Sequence, residues 1–411
     1  MKIKITDSVE TRKVIRVFFS LLTIKGVDLA IPLITLPYLI YTIGLENYGL
    51  VNFSIALSIY FFSFVQYGFP VSAARDVARN RNSPLKISAI FSITIYSMFI
   101  LTIFASITFG LLLIFIEKFL EYKYLHIFTF LSLITKAFVP IWFFQGIQQM
   151  GNFTWINIIS RLALLLLILT FIKAENDFIY LPIINLATSF FVIMLSYYII
   201  INKYNIKFHR FKFGKVKSKI YLNFNTFIAQ FAPNLYTNSA TFFLGMTSTP
   251  LALGIFTSAS KIIDIVGLFS HAMANATLPF ITRNKTKHIK VLSLMIISGV
   301  FLSVVVAIMS GFLTKILFPE NASDVRHILI LMLPILPLLF FNLALGNNFL
   351  LIFGYEKEMR NIVLNCSIFS LVYSIPLIYM FGLYGSVFTL VFTRLVIAVF
   401  YYFSYRLKVL T

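Results

Sequence analysis

Cysteine is almost missing from this chain: Cys366 stands alone among 411 residues. A single thiol excludes an internal disulfide framework and any multi-cysteine metal site. Acidic residues are also scarce, 14 Asp and Glu against 34 Lys and Arg, and charged residues of both signs make up only 12%. The five histidines, His126, His209, His271, His288 and His327, form no His-x-x-x-His pair. There is no phosphate-cradling glycine loop and no nucleophile elbow. No metal site, no catalytic residues and no cofactor are therefore expected. The net charge of +20 raises nucleic acid as a partner, but no Arg-rich or aromatic-interleaved soluble segment is present to hold a strand.

What is present is apolar. The chain is 59% hydrophobic with a mean hydropathy of +0.91, which is the composition of a polytopic membrane protein. The first apolar stretch is too long for the core of a signal peptide and lacks a small-residue cleavage site, so it reads as a membrane helix. At about 20 apolar residues per crossing, the sequence predicts twelve helices. They fall at 15–42, 47–70, 86–115, 124–147, 153–172, 178–202, 219–247, 251–281, 289–316, 326–352, 359–381 and 383–406.

Charge gives this topology a direction. With the N-terminus in the cytoplasm, the cytoplasmic segments hold 24 of the Lys and Arg residues. The outer loops hold Lys118, Lys123, Lys173, Lys315 and Arg326. That asymmetry follows the positive-inside rule and puts both termini in the cytoplasm. The basic stretch 203–218 (KYNIKFHRFKFGKVKS) divides six helices from six. The expected organisation is an N-terminal lobe 1–202, a basic cytoplasmic linker 203–218 and a C-terminal lobe 219–411. The halves echo each other: GLENYGLVNFSIALSIY, with Gly44 and Gly49, follows the first helix, and GMTSTPLALGIFTSASKII, with Gly245 and Gly254, follows the seventh. Repeats of six helices share one membrane orientation and are related by a pseudo-two-fold axis along the membrane normal.

Seven charges fall inside the predicted spans: Lys25, Asp28, Lys136, Arg161, Lys261, Asp264 and Arg394. Each costs roughly 2.5–3.5 kcal/mol at a helix centre on an insertion scale, so an anchor alone would not carry them. Lys25 and Asp28 share a helix face, as do Lys261 and Asp264 at the same spacing and in the same order of signs. His271 and Asn275 continue the second of these faces. The seventh helix carries a stripe of Gln230, Asn234, Asn238 and Thr241, interrupted by Pro233. Structural readings stand beside the functional one. Each Lys/Asp pair could simply neutralise itself, Arg161 could snorkel to the membrane surface, and the amides could bond neighbouring helices. Together, five cations and two anions leave an intramembrane excess of positive charge. A lipid phosphate or pyrophosphate would balance it through charge-assisted hydrogen bonds.

The stretch PIWFFQGIQQM, Pro140 to Met150, resembles a signature of the Wzx-type polysaccharide transporters, the O-antigen flippases. These belong to the multidrug/oligosaccharidyl-lipid/polysaccharide exporter superfamily. LPYLIYTIGLENYGLVNFSIA (Leu36 to Ala56), YGFPVSAARDVAR (Tyr67 to Arg79), GIFTSASKIID (Gly254 to Asp264) and GLYGS (Gly382 to Ser386) are similar to stretches shared across that superfamily. The resemblance covers the whole chain. It implies a V-shaped, two-lobed bundle in the bacterial inner membrane that works by alternating access. The implied cargo is an undecaprenyl-pyrophosphate-linked oligosaccharide, and the implied neighbours are membrane lipid, an O-antigen polymerase and a chain-length regulator. On that basis Lys25 and Lys261 are expected to bind the pyrophosphate, with Lys136, Arg161 and Arg394 extending the basic surface. Gln230, Asn234 and Asn238 would offer hydrogen bonds to sugar hydroxyls. Asp28 and Asp264 would hold the lysines in the empty cavity, and either is a candidate for coupling to a proton or sodium gradient. Arg394 departs from the family pattern, in which an acid is common in that part of the last helix. Two other readings stay open: a multidrug-type cation antiporter of the same superfamily, and a membrane glycosyltransferase or O-antigen polymerase.

Overall fold

The computed structural model describes the backbone of residues 6–283 and 288–410, and the side chains of residues 31, 34–278, 281–282 and 288–408. Among these residues the chain is helical and contains no strand. Among the described residues, nine segments are long and apolar enough to cross a membrane. Two of them, Ile34–Arg79 with 46 residues and Glu356–Lys408 with 53, would be roughly 70–80 Å long as straight helices, more than twice the bilayer core. Neither is straight. Helix α1 (Thr6–Gln66) is broken at Gly44, with φ of 76°, a conformation that a Cβ would disfavour. Tyr67 and Gly68 then end it in left-handed backbone. The last helix, α14 (Glu356–Leu410), is broken at Gly382 in the same way.

The chain forms two compact units. One comprises Met1–Ile43 and Leu57–Phe231; the other comprises Gly44–Ala56 and Ala232–Thr411. Their borders fall inside α1 and inside α9 (Phe213–Thr247), the latter close to Pro233.

In the first unit, a short amphipathic helix α2 (Phe69–Arg79) buries Phe69, Ser72, Ala73 and Val77. That spacing puts all four on one face. The face packs on α6 (Ile141–Gly146), where Trp142, Phe143 and Phe144 are fully buried. Phe91 of α3 (Pro84–Phe115), Phe153 and Ile156 of α7 (Met150–Phe171), and Val192 and Ile200 of α8 (Tyr180–Asn202) complete the cluster. The α8 helix also packs along α5 (Lys123–Ala137). The first turns of α9 belong to this unit. There the Lys219 Nζ lies 2.6 Å from Asp76 Oδ2 of α2. Buried Asn223 donates to the Tyr67 carbonyl, and Phe227 stacks on the Tyr67 ring at 4.4 Å.

In the second unit, α10 (Pro250–Arg283) lies against α12 (Ala322–Met332) and α13 (Ile335–Leu345), and α11 (His288–Leu317) packs on both. The α12–α13 break at Leu333 and Pro334 and a π-helical turn at Gly346–Leu351 make this stretch irregular. The echoing glycines of the two halves meet here. A Cβ on Gly254 would lie 2.1 Å from the Leu45 carbonyl oxygen, and one on Gly49 would lie 2.5 Å from that of Pro250. Both neighbours are backbone and cannot rotate away. Gly254→Ala is therefore expected to destabilise the protein by about 1–3 kcal/mol. The check is the thermal unfolding midpoint of the detergent-purified variant, and an unchanged midpoint would contradict the close approach.

Candidate functional site

Polar groups gather at two places, one in each unit. In the second unit they form around α10. Its Phe256, Ala259, Ile262 and Ile263 are buried where it packs on α11, α12 and α13, and its opposite face is more exposed. On that face Asp264, His271 and Asn275 are exposed, and Lys261 is half-buried. Asp264 lies within electrostatic range of two cations, Arg394 of α14 and Lys261. Tyr48 and Tyr236 complete the surroundings, Tyr48 facing the Asp264 charge and Tyr236 the Arg394 charge. Lys261 lies 11 residues beyond the start of α10, and Arg394 lies 12 beyond the Gly382 break. At 1.5 Å per residue both are roughly 16–18 Å along their helices, about half the length that a membrane-crossing helix needs.

The ion pairing within this cluster is loose. The carboxylates within 4 Å of a Lys or Arg among the described residues are Asp76 and Glu358, with Lys219 and Lys408. Asp264 therefore makes no ion pair within 4 Å with Lys261, three residues away, although the two stay in electrostatic range. Arg394 is held through its backbone, where Asn342 Nδ2 of α13 donates to the carbonyl at 3.0 Å. The guanidinium Nε and the Asn342 Oδ1 are both buried with no hydrogen-bond partner among the described residues. Buried polar atoms in this condition are costly unless something satisfies them. The cluster thus places two cations, one of them a guanidinium, where an anionic group could meet them.

In the first unit, a cavity of about 210 Å³ opens between α1, α5, α7 and α8. Lys136, one residue before the end of α5, and Arg161 of α7 line it together with Asn157, Asn185, Thr188 and Gln66. Arg161 is half-buried and lines this cavity. The Ser160 hydroxyl ties α7 to the Thr188 carbonyl of α8 at 3.3 Å. The amide nitrogen of Asn157 is buried with no hydrogen-bond partner among the described residues.

The remaining sequence-derived residues are placed as follows. Gln230 is exposed on the part of α9 that belongs to the first unit, while Asn234 and Asn238 are half-buried in the second. Asn238 Nδ2 lies 3.4 Å from Asn234 Oδ1 and 3.1 Å from Thr237 Oγ1, so part of the stripe is engaged along its own helix. Lys25 and Asp28 fall within the helical backbone of α1, but their side chains lie outside the described residues. The sequence reading missed Asn157, Asn185 and Asn342. Each is an amide within an otherwise apolar span, and Asn157 stands one helical turn before Arg161, which was the available signal.

Known proteins resemble this chain over most of its length. The chain is 26% identical to the "Putative O-antigen transporter" of Escherichia coli (strain K12) over 384 residues, covering 91% of this chain and 92% of that protein. It is 22% identical over 387 residues to the protein of the same name from Shigella dysenteriae, covering 92% and 97%. Among solved structures, an inward-facing multidrug resistance MATE family transporter of the MOP superfamily superposes with a TM-score of 0.66 at 13% identity, over 92% of this chain and 94% of that one. The lipid II flippase MurJ in an inward closed conformation gives 0.64 at 15% identity, over 95% and 87%. These two likenesses establish a shared fold. The model of the family described as "Polysaccharide biosynthesis protein" matches residues 14–285, about two thirds of the chain, and the protein belongs to that family.

Proposed function

We propose that this protein flips an undecaprenyl-pyrophosphate-linked oligosaccharide, an O-antigen repeat unit, from the cytoplasmic to the periplasmic leaflet of the bacterial inner membrane by alternating access. What supports this reading is the grouping of Lys261 and Arg394 about Asp264, partway along α10 and α14. A purely structural role would favour closed ion pairs there, whereas an anionic cargo is suited by cations whose carboxylate stands apart from them. The pyrophosphate would lie on Lys261 and Arg394. Lys25, Lys136 and Arg161 would present further positive charge, and the amides Gln230, Asn234 and Asn238 would meet sugar hydroxyls. Asp264, and Asp28 in the first helix, would balance the cations when cargo is absent and are the residues at which a proton or sodium ion would couple transport. The names of the curated relatives support the cargo class.

The topology of the proposal is twelve crossings. It divides α1 at Gly44 and α14 at Gly382, and counts α9, whose polar stripe lowers its hydropathy, as a span. Two topological halves, 1–202 and 219–411, are then joined by 203–218, with both termini cytoplasmic. An O-antigen polymerase and a chain-length regulator would act on the delivered cargo. A multidrug-type cation antiporter is disfavoured because the charged clusters carry more bases than acids.

Complementation of a flippase-deficient strain tests the proposal. Restored surface polysaccharide is the expected result. A strain that stays bare but gains resistance to cationic drugs would overturn the proposal in favour of the antiporter.

A further inference from the structure

Residues 203–212, between α8 and α9, form no helix, yet the chain is fastened along α3. The backbone N–H of Lys207 donates to Ser88 Oγ at 3.2 Å and that of His209 to Ser92 Oγ at 2.9 Å. The Tyr96 hydroxyl donates to the His209 carbonyl at 2.8 Å. Ile206 is buried. Phe208 packs on the Phe91 ring at 5.5 Å, and Phe211 on Tyr96 at 5.4 Å. The strap therefore has a fixed path over about two turns of α3.

Two surfaces meet along that path. Lys203, Lys207, Arg210, Lys212, Lys215 and Lys217 are exposed, and none has a carboxylate within 4 Å among the described residues. Beside them Phe208 and Phe211 are about half-exposed. One turn beyond Tyr96, α3 begins an exposed apolar face with Phe99, Ile103, Phe104 and Ile107. A membrane-spanning helix turns such a face to lipid. The strap thus sits where lipid-facing surface gives way to polar surface, which is the level of the headgroups. Aromatic rings are favoured at that depth, and clustered Lys and Arg beside it attract anionic lipid.

We infer that the strap is a docking surface for anionic phospholipid of the adjoining leaflet. Headgroup phosphates neutralise the unpaired cations, while Phe208 and Phe211 seat at the acyl boundary. An acidic soluble partner fits less well, because the half-exposed rings border the lipid-facing side of α3.

The experiment uses the full-length protein in nanodiscs doped with photoactivatable phosphatidylglycerol or, in parallel, photoactivatable phosphatidylcholine. Labelled peptides are mapped by mass spectrometry. Phosphatidylglycerol is expected to label 203–217 about tenfold more than phosphatidylcholine, and high salt should shrink that ratio. The K207Q/R210Q/K212Q/K215Q variant should label equally with both lipids at an unchanged unfolding temperature, since these side chains are exposed. K212Q/K215Q should lose part of the preference, so the inference stays testable even if the fourfold variant does not fold. Equal labelling of the parent by both lipids would overturn the inference. So would a preference that survives in both variants or that ignores salt. The readout needs no transport, so it stands apart from the complementation result.

Discussion

Arg394→Met is expected to lower surface polysaccharide about 10- to 100-fold in a complemented flippase-deficient strain, at an unchanged level of protein in the membrane. Methionine fills much of the same volume, so the α13–α14 packing around the Asn342 bond to the Arg394 backbone carbonyl should persist. What is lost is a cation beside Asp264 and a guanidinium whose Nε has no hydrogen-bond partner among the described residues. A hydrogen bond to a charged group contributes about 1.5–3 kcal/mol, and each 1.4 kcal/mol is a factor of ten. Arg394→Lys should recover only part of the activity, because lysine restores the charge without the planar fork that matches a phosphate. Quantitative immunoblotting of membranes alongside polysaccharide gels separates the two roles open to this residue. Export falling with membrane level would mean that Arg394 holds the fold. Export at the parental rate would remove it from the cargo path.

The second large effect lies far from charge. Phe143→Ala should cost about 3–5 kcal/mol of stability. The ring is 0% exposed and meets Phe91 at 5.8 Å, Phe144 at 5.6 Å and Tyr204 at 5.7 Å in edge-to-face geometries. In a bilayer, transfer out of water supplies little of the cost, because lipid is as apolar as the protein interior. The cavity left behind forfeits dispersion contacts that no neighbour can replace, and the edge-to-face pairs are lost with it. Phe143→Leu should cost much less. Phe99→Ala, on a side chain 59% exposed, serves as the lipid-facing comparison and should leave the unfolding temperature near the parental value. Similar losses for Phe143→Ala and Phe99→Ala would refute the packing argument.

The aromatic residues of Pro140 to Met150 show what the sequence could and could not disclose. As a string they point to a family; in the structure they are the centre of a core built from five helices. Gln148 and Gln149 bind outward, accepting from Arg81 at 2.7 Å and from the Tyr204 hydroxyl at 2.7 Å. The apolar runs were readable because a crossing needs a fixed length of low polarity. The breaks at Gly44 and Gly382 were readable as boundaries between predicted helices, since glycine tolerates backbone that other residues avoid. The α2 helix was not read as a separate element, because its apolar spacing matters only once α6 is there to receive it. Arg161 was ambiguous for a related reason. Distance from a helix end suggests snorkelling, and only the folded positions of Asn157 and Asn185 reveal a cavity. The same holds for Lys261 and Asp264, whose spacing permits a pair that is not made within 4 Å.

Gly44–Ala56 comes from the first half of the sequence but packs in the second unit, and the α9 turns up to Phe231 come from the second half but pack in the first. Each half therefore lends the other a piece of helix. A chimaera joined within 203–212 would place a foreign Phe227 on Tyr67, a foreign Asn223 at its carbonyl and a foreign Lys219 at Asp76. Gene shuffling between relatives should thus tolerate a crossover near residue 231 better than one in the connection between halves, because inheritance then follows the packing of the first unit.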